Sequence, residues 1–321
     1  MRPRLQAIAR ISDRGAALLA AGLVSLLLFG TGPLRAETIT PSHVYQVVET
    51  VQAELALLLE ANFSATEVPA EQAIAGRRPR HVLQEANQIS QQIRLLKRIN
   101  GLPTAEAKAA EVREITPADV KASVDAILAE VRALRGPYGV TAEAPAVELR
   151  DGKTPTDVQA ALAVTAQLVQ RLDLPAIVPN DVYRLALAIK ADATQIQTRL
   201  GAPEAQPILE GISGMKPPQV YARSFDLLER LKVLTESSAE LAIPGGVVPP
   251  PKKSDNLKPA DVLGVLKTIL AELSSMKVVV GASEPTPALP PQVGKTPNDV
   301  YIAVEETLAI IEAVSTAAGT S

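Results

Sequence analysis

The sequence predicts an all-α protein: an eight-fold helical repeat arranged as two tandem four-helix bundle-like units with long proline-rich linkers. Three observations predict this. A helix-start phrase recurs along the chain, an apolar seam follows each copy, and the order of the first four copies returns in the last four. The phrase reads "ITPSHVY" at 39–45, "ITPADV" at 115–120, "KTPTDV" at 153–158, "VPNDVY" at 178–183 and "KTPNDVY" at 295–301. Its valine stands at Val44, Val82, Val120, Val158, Val182, Val220, Val262 and Val300, with a proline three residues before every one. The spacings are 38, 38, 38, 24, 38, 42 and 38, and a fixed period of this kind is the mark of a repeat architecture.

The phrase is helix-start chemistry. Thr40, Thr116, Thr154 and Thr296 stand at N-cap positions, where a hydroxyl accepts from a free first-turn N–H. Proline at N1 loses no hydrogen bond and already has a helical φ. Asp119, Asp157, Asp181, Asp261 and Asp299 follow at N3, setting negative charge against the positive end of the helix dipole.

The seam comes next. Positions 0, 4, 7, 11 and 14 counted from each valine are apolar in 37 of 40 cases, against about 19 expected from the 47% hydrophobic content. The exceptions are Thr165, Ser224 and Thr307. This 4-3-4-3 spacing is the heptad pattern of bundles and coiled coils. Glycine at position 19 in Gly101, Gly201, Gly281 and Gly319 predicts left-handed helix stops. Each helix should then run for about 22 residues, or about 33 Å.

Repeat three ("PADVKASVDAILAEV") resembles repeat seven ("PADVLGVLKTILAEL"), and "GKTPTDV" of repeat four matches "GKTPNDV" of repeat eight. The two units are therefore placed at 37–176 and 177–321, with the short 24-residue step between them. Linkers such as "GASEPTPALPPQVGKT" are too rich in proline for a second helix. Only 103–115, "PTAEAKAAEVREI", could add one. Sixteen extended residues reach about 53 Å, enough to run back along a helix, so both parallel and antiparallel neighbours are compatible with the sequence.

Residues 1–36 read as a cleaved signal peptide: basic Arg2, Arg4, Arg10 and Arg14, an apolar run from Ala16 to Phe29, then Gly30, Gly32, Pro33 and Ala36. The expected localisation is periplasmic or secreted, with no stable membrane insertion after cleavage. The remaining chain has 27 basic and 34 acidic residues, a net charge of −7, which argues against nucleic acid or anionic lipid as partner. The chain has no cysteine, hence no disulfides and no haem attachment through cysteine.

Candidate chemistry is sparse. "GKT" at 152–154 and 294–296 lacks the upstream glycine of a phosphate loop, since Val147 and Leu289 stand there, and reads as capping. His43 and His81 share the N3 slot in successive repeats. They read as solvated polar residues, or as weak metal candidates if neighbouring helices are parallel, although no further ligand motif completes a site. Tyr45, Tyr183, Tyr221 and Tyr301 stand one residue after the seam valine. They read as a core edge with a wet phenol tip, or as binding candidates for a ligand or partner. The stretch 247–258, "VVPPPKKSDNLK", reads as a solvated linker.

No acid occupies a seam position, so the expectation is a protein that is not an enzyme and holds no cofactor. The expected function is an exported, non-catalytic interaction or scaffold module of the cell envelope, recognising another envelope protein or itself. The alternative is a ligand-binding or sensory bundle holding a small molecule near the tyrosine-bearing helix starts.

Overall fold

The computed structural model describes residues 38–71, 73–104 and 111–319, so the leader at 1–36 lies outside the described residues. Residues 105–110 of the candidate extra helix at 103–115 also lie outside them, and its described flanks are not helical. The protein is all-helical: α1 (Pro41–Ala61), α2 (Pro79–Ile99), α3 (Pro117–Ala133), α4 (Pro155–Gln170), α5 (Pro179–Arg199), α6 (Pro217–Ser237), α7 (Pro259–Val280) and α8 (Pro297–Gly319). Among the described residues there is no strand.

Every helix begins at the proline of the repeated phrase, and the reason is visible at N3. In all eight helices the N3 side chain accepts a hydrogen bond from the N-cap backbone N–H, at 2.7 to 3.1 Å. Five of these acceptors are aspartates, one is Gln219, and two are the Nδ1 atoms of His43 and His81. An imidazole can do this only with Nδ1 unprotonated.

The seam is the core. Each of its forty positions is at most 2% exposed. The three polar exceptions are buried too, and each hydroxyl donates to the carbonyl four residues back: Thr165 to Ala161 at 2.9 Å, Ser224 to Val220 at 2.8 Å and Thr307 to Ala303 at 2.7 Å. A buried hydroxyl satisfied within its own helix leaves no polar atom stranded.

Two helices are shorter than the expected length, α3 with 17 residues and α4 with 16. In α3, Pro137 has no N–H to donate and its ring would strike the carbonyl of Ala133. Beyond α4, Asp173 turns into the left-handed region at φ 60° and Pro175 follows. The last seam residues, Leu134 and Leu172, stay buried beyond these helix ends.

The helix starts meet at one end. Pro41, Pro79, Pro117 and Pro155, each with its seam valine, line a single shallow dimple; their counterparts Pro179, Pro217, Pro259 and Pro297 line a second. Helices α1–α4 therefore run parallel, and so do α5–α8. In the first group α1 and α2 each pack against both α3 and α4; in the second α5 and α6 each pack against both α7 and α8. Each group closes its own apolar cluster.

Parallel packing explains the linkers. Between helices of one group the chain must return from a helix end to a helix start, and those connections have 16 to 21 residues. Residues 171–178, between α4 and α5, number only eight. Eight extended residues span about 26 to 29 Å, against the roughly 24 Å of the 16-residue α4, which leaves almost nothing for the sideways step to a neighbouring helix. The second group instead starts where the first ends and runs the other way.

Candidate functional site

The densest cluster of buried charge lies where α2 meets α7. Arg80 and His81 follow the proline of α2, and Glu272 sits midway along α7; all three are at most 4% exposed. Arg80 Nε donates to Glu272 Oε2 at 2.9 Å, and its two terminal nitrogens donate to the carbonyls of Pro244 and Gly246. His81 Nε2 lies 2.8 Å from Glu272 Oε1, which also accepts from the Val248 N–H at 3.0 Å. Arg77 donates to the Val248 carbonyl at 3.1 Å. Five residues further along α2, Glu85 pairs with Lys267 at 2.7 Å, five residues earlier on α7. The two helices are therefore antiparallel, and with them the two helix groups.

These contacts fix the state of His81. Its Nδ1 accepts from the Arg78 N–H at 2.9 Å, so the proton is on Nε2 and donates to Glu272. Burial pushes the imidazole pKa down, the Glu272 bond opposes this, and the positive Arg80 and Arg77 push it further down. Burial alone would raise the Glu272 carboxyl, but His81, Arg80 and the Val248 N–H outweigh it and hold it below the usual range.

The segment after α6 completes the junction. A 3-10 turn at Ala239–Leu241 leads into 243–248, where Leu241, Ile243 and Val247 are buried. Gly245 has φ 74°, and a Cβ there would fall 2.2 Å from the Arg78 guanidinium. Only glycine permits both the turn and the stacked arginine. The expectation of a solvated linker over 247–258 is thus corrected at its start. Val247 is buried, and the Val248 backbone is bonded on both sides because it passes over α2.

The structure separates the two histidines from a shared metal role. His81 has both ring nitrogens engaged and is buried rather than solvated. His43 Nδ1 accepts from the Thr40 N–H at 3.1 Å, and α1 and α2 stand diagonally across their group. Among the described residues no three His, Cys, Asp or Glu side chains are gathered as a metal would need.

Three of the four tyrosines, Tyr45, Tyr183 and Tyr221, touch linkers. Lys153 Nζ lies 4.1 Å from the Tyr45 ring centroid and Lys295 Nζ 4.5 Å from that of Tyr183, the same contact in the two groups. The Tyr221 hydroxyl accepts from the Lys253 N–H at 2.8 Å, and its ring tilts against Phe225 at 4.9 Å. Burial raises the Tyr301 hydroxyl pKa, and its bonded neighbour Glu305 raises it further. Tyr45 and Tyr221 are buried, Tyr183 and Tyr301 half-buried. At "GKT", Thr154 Oγ1 accepts from the Asp157 N–H at 3.3 Å while donating to its carboxylate at 2.6 Å, which is capping.

A second register emerges that the seam does not reveal. Position 15 of one repeat pairs with position 10 of a repeat packed beside it: Lys97 with Glu130, Arg135 with Glu54, and Lys277 with Asp192. Lys277 and Asp192 are almost wholly buried at 2.7 Å, with Thr286 donating to the other Asp192 oxygen at 2.6 Å. Burial pushes Asp192 up, and Lys277 and Thr286 pull it back. The signal was present in the sequence as acids at position 10 facing bases at position 15, one residue beside the apolar positions. Glu272 also occupies position 10, but it turns outward to α2.

Compared with protein-family profiles, with curated proteins and with solved structures, the chain matches none of them.

Proposed function

We propose that the chain is a non-catalytic scaffold of the cell envelope, built by duplication of a four-helix unit and exported by the leader at 1–36. The units are 37–176 and 177–321, and the partner is another envelope protein or a second copy. One observation carries this reading: the apolar seam of every helix is sealed. All forty seam positions are sealed, and the dimples at the two sets of helix starts each hold about 10 Å³, room for one water at most. A drug-sized ligand needs a few hundred cubic ångströms. Among the described residues, Arg80 and His81 are committed to Glu272, Lys267 to Glu85 and Lys277 to Asp192.

Duplication is supported by contacts that recur at matching places. Ser42 Oγ accepts from the Lys153 N–H at 3.1 Å, and Asn180 Oδ1 from the Lys295 N–H at 2.7 Å. Thr156 Oγ1 accepts from the Arg77 N–H, and Asn298 Oδ1 from the Met215 N–H. In each case the second residue of one helix ties down the chain entering its neighbour.

The surface carries the means of association. Phe63 is wholly exposed, and Ile208 and Val293 are more than 80% exposed. Native mass spectrometry of protein purified without denaturant tests the reading. The expected mass is that of the chain from Glu37 onward with nothing retained. A stoichiometric small molecule would overturn it in favour of a ligand-binding bundle.

A further inference from the structure

We propose that the α2–α7 junction is an acid-released clasp, with His81 as its trigger and separation of the two helix groups as its output. This rests on reading the chain as two closed bundles. Opening exposes neither apolar core, because each group completes its own cluster. The bonds that opening breaks are Arg80–Glu272, His81–Glu272, Lys267–Glu85, Arg184–Gln91 and those from Arg77 and Arg80 to the 244–248 backbone, and Val248 leaves its place beside Gly76. A polar interface between compact units is the kind that moves.

His81 is the buried imidazole of this junction, and an imidazole is the side chain whose unperturbed pKa lies nearest neutrality. The groups around it are set against a second proton. From α2 and the two residues before it come Arg80, Arg77 and the Arg78 N–H; from α7 come Glu272 and Lys267. Segment 244–248 presents only backbone groups, whose carbonyls take the arginines. Helix α4 presents Gln159, which donates to Glu85. Helix α5 adds Arg184, bonded to Gln91. A proton on Nδ1 would point at the Arg78 N–H and cancel the N3 cap of α2. It would also place a third positive charge beside two buried arginines.

The sign follows from the lowered pKa. Closed, the imidazole titrates below its ordinary value; open, it returns to it. The closed form is therefore favoured fully above the ordinary value of about 6.5. That advantage is lost as pH falls through the lowered one.

The chain has no cysteine, so a dye pair at Ala126→Cys and Glu236→Cys, both exposed, reports the separation cleanly. The expected result is a severalfold fall in energy transfer between about pH 8 and pH 4.5, with far-ultraviolet ellipticity unchanged. His81→Gln should abolish the fall, because the chain itself uses Gln219 for the same N3 bond in α6. Since that variant could fail to close, a second arm uses His43→Gln, which leaves a single imidazole. Its proton titration must share the midpoint of the transfer change. Flat transfer, a fall that His81→Gln shares, or titration of His81 without opening overturns the clasp. Loss of helix and transfer together at one midpoint overturns the two-bundle division as well.

Discussion

At the scale of single residues, the N3 slot shows how one position accepts different chemistry. Aspartate, glutamine and histidine all serve because the task is to present a lone pair to the N-cap N–H. The aspartates also bring a negative charge to the positive end of the helix dipole. Thr154 holds the Asp157 carboxyl below its ordinary range, and Thr296 does the same for Asp299. A lowered carboxyl pKa gives stability that is complete above the unfolded value, about 3.9, and lost as pH falls through the folded one. Thermal midpoints should therefore fall below about pH 4, and Asp157→Asn together with Asp299→Asn should flatten that fall. Phe63 poses the opposite case. It takes the helix-stop position filled by Gly101, Gly139, Gly201 and Gly281 elsewhere, at φ 54°, and touches nothing that repays the strain. Phe63→Gly should raise stability by about 1 kcal/mol in denaturant unfolding; a loss would show that the ring is held by the chain.

At the scale of elements, the seam was legible because its period is that of a helix face and eight copies reinforce it. Leu231, sealed at 0% exposure, should cost about 2–5 kcal/mol when replaced by alanine. The paired charges at positions 10 and 15 were not legible as buried, since a lone acid beside a seam looks like any solvated residue. Only the neighbour's register shows what it meets. Lys277→Met alone should cost about 3–5 kcal/mol, because it strands the Asp192 carboxylate. Adding Asp192→Leu should recover most of that loss in the same unfolding assay. If the double variant is no better than the single one, the pair is not the buried ion pair described.

At the scale of the molecule, helix direction could not be read from composition, because a return run and a long loop share the same prolines. One clue was present. The 24-residue step is 14 residues shorter than the usual 38, and a linker that cannot run back along a helix must begin an inverted group. The clasp was hidden because Arg80, His81 and Glu272 lie 191 to 192 residues apart in sequence. Their slots, N2, N3 and position 10, read as surface.

The central claim is that each four-helix group is a closed unit, and separating them tests it most directly. Residues 37–176 and 177–321, expressed apart, should each stay monomeric, keep their helical spectrum and melt in one cooperative transition. A group of this length can close its own core, and the polar clasp takes no seam residue from either. Some loss of stability is expected from breaking Arg80–Glu272 and Lys267–Glu85. If neither fragment melts cooperatively, or each aggregates through an exposed seam, the eight helices form a single core and the account is wrong.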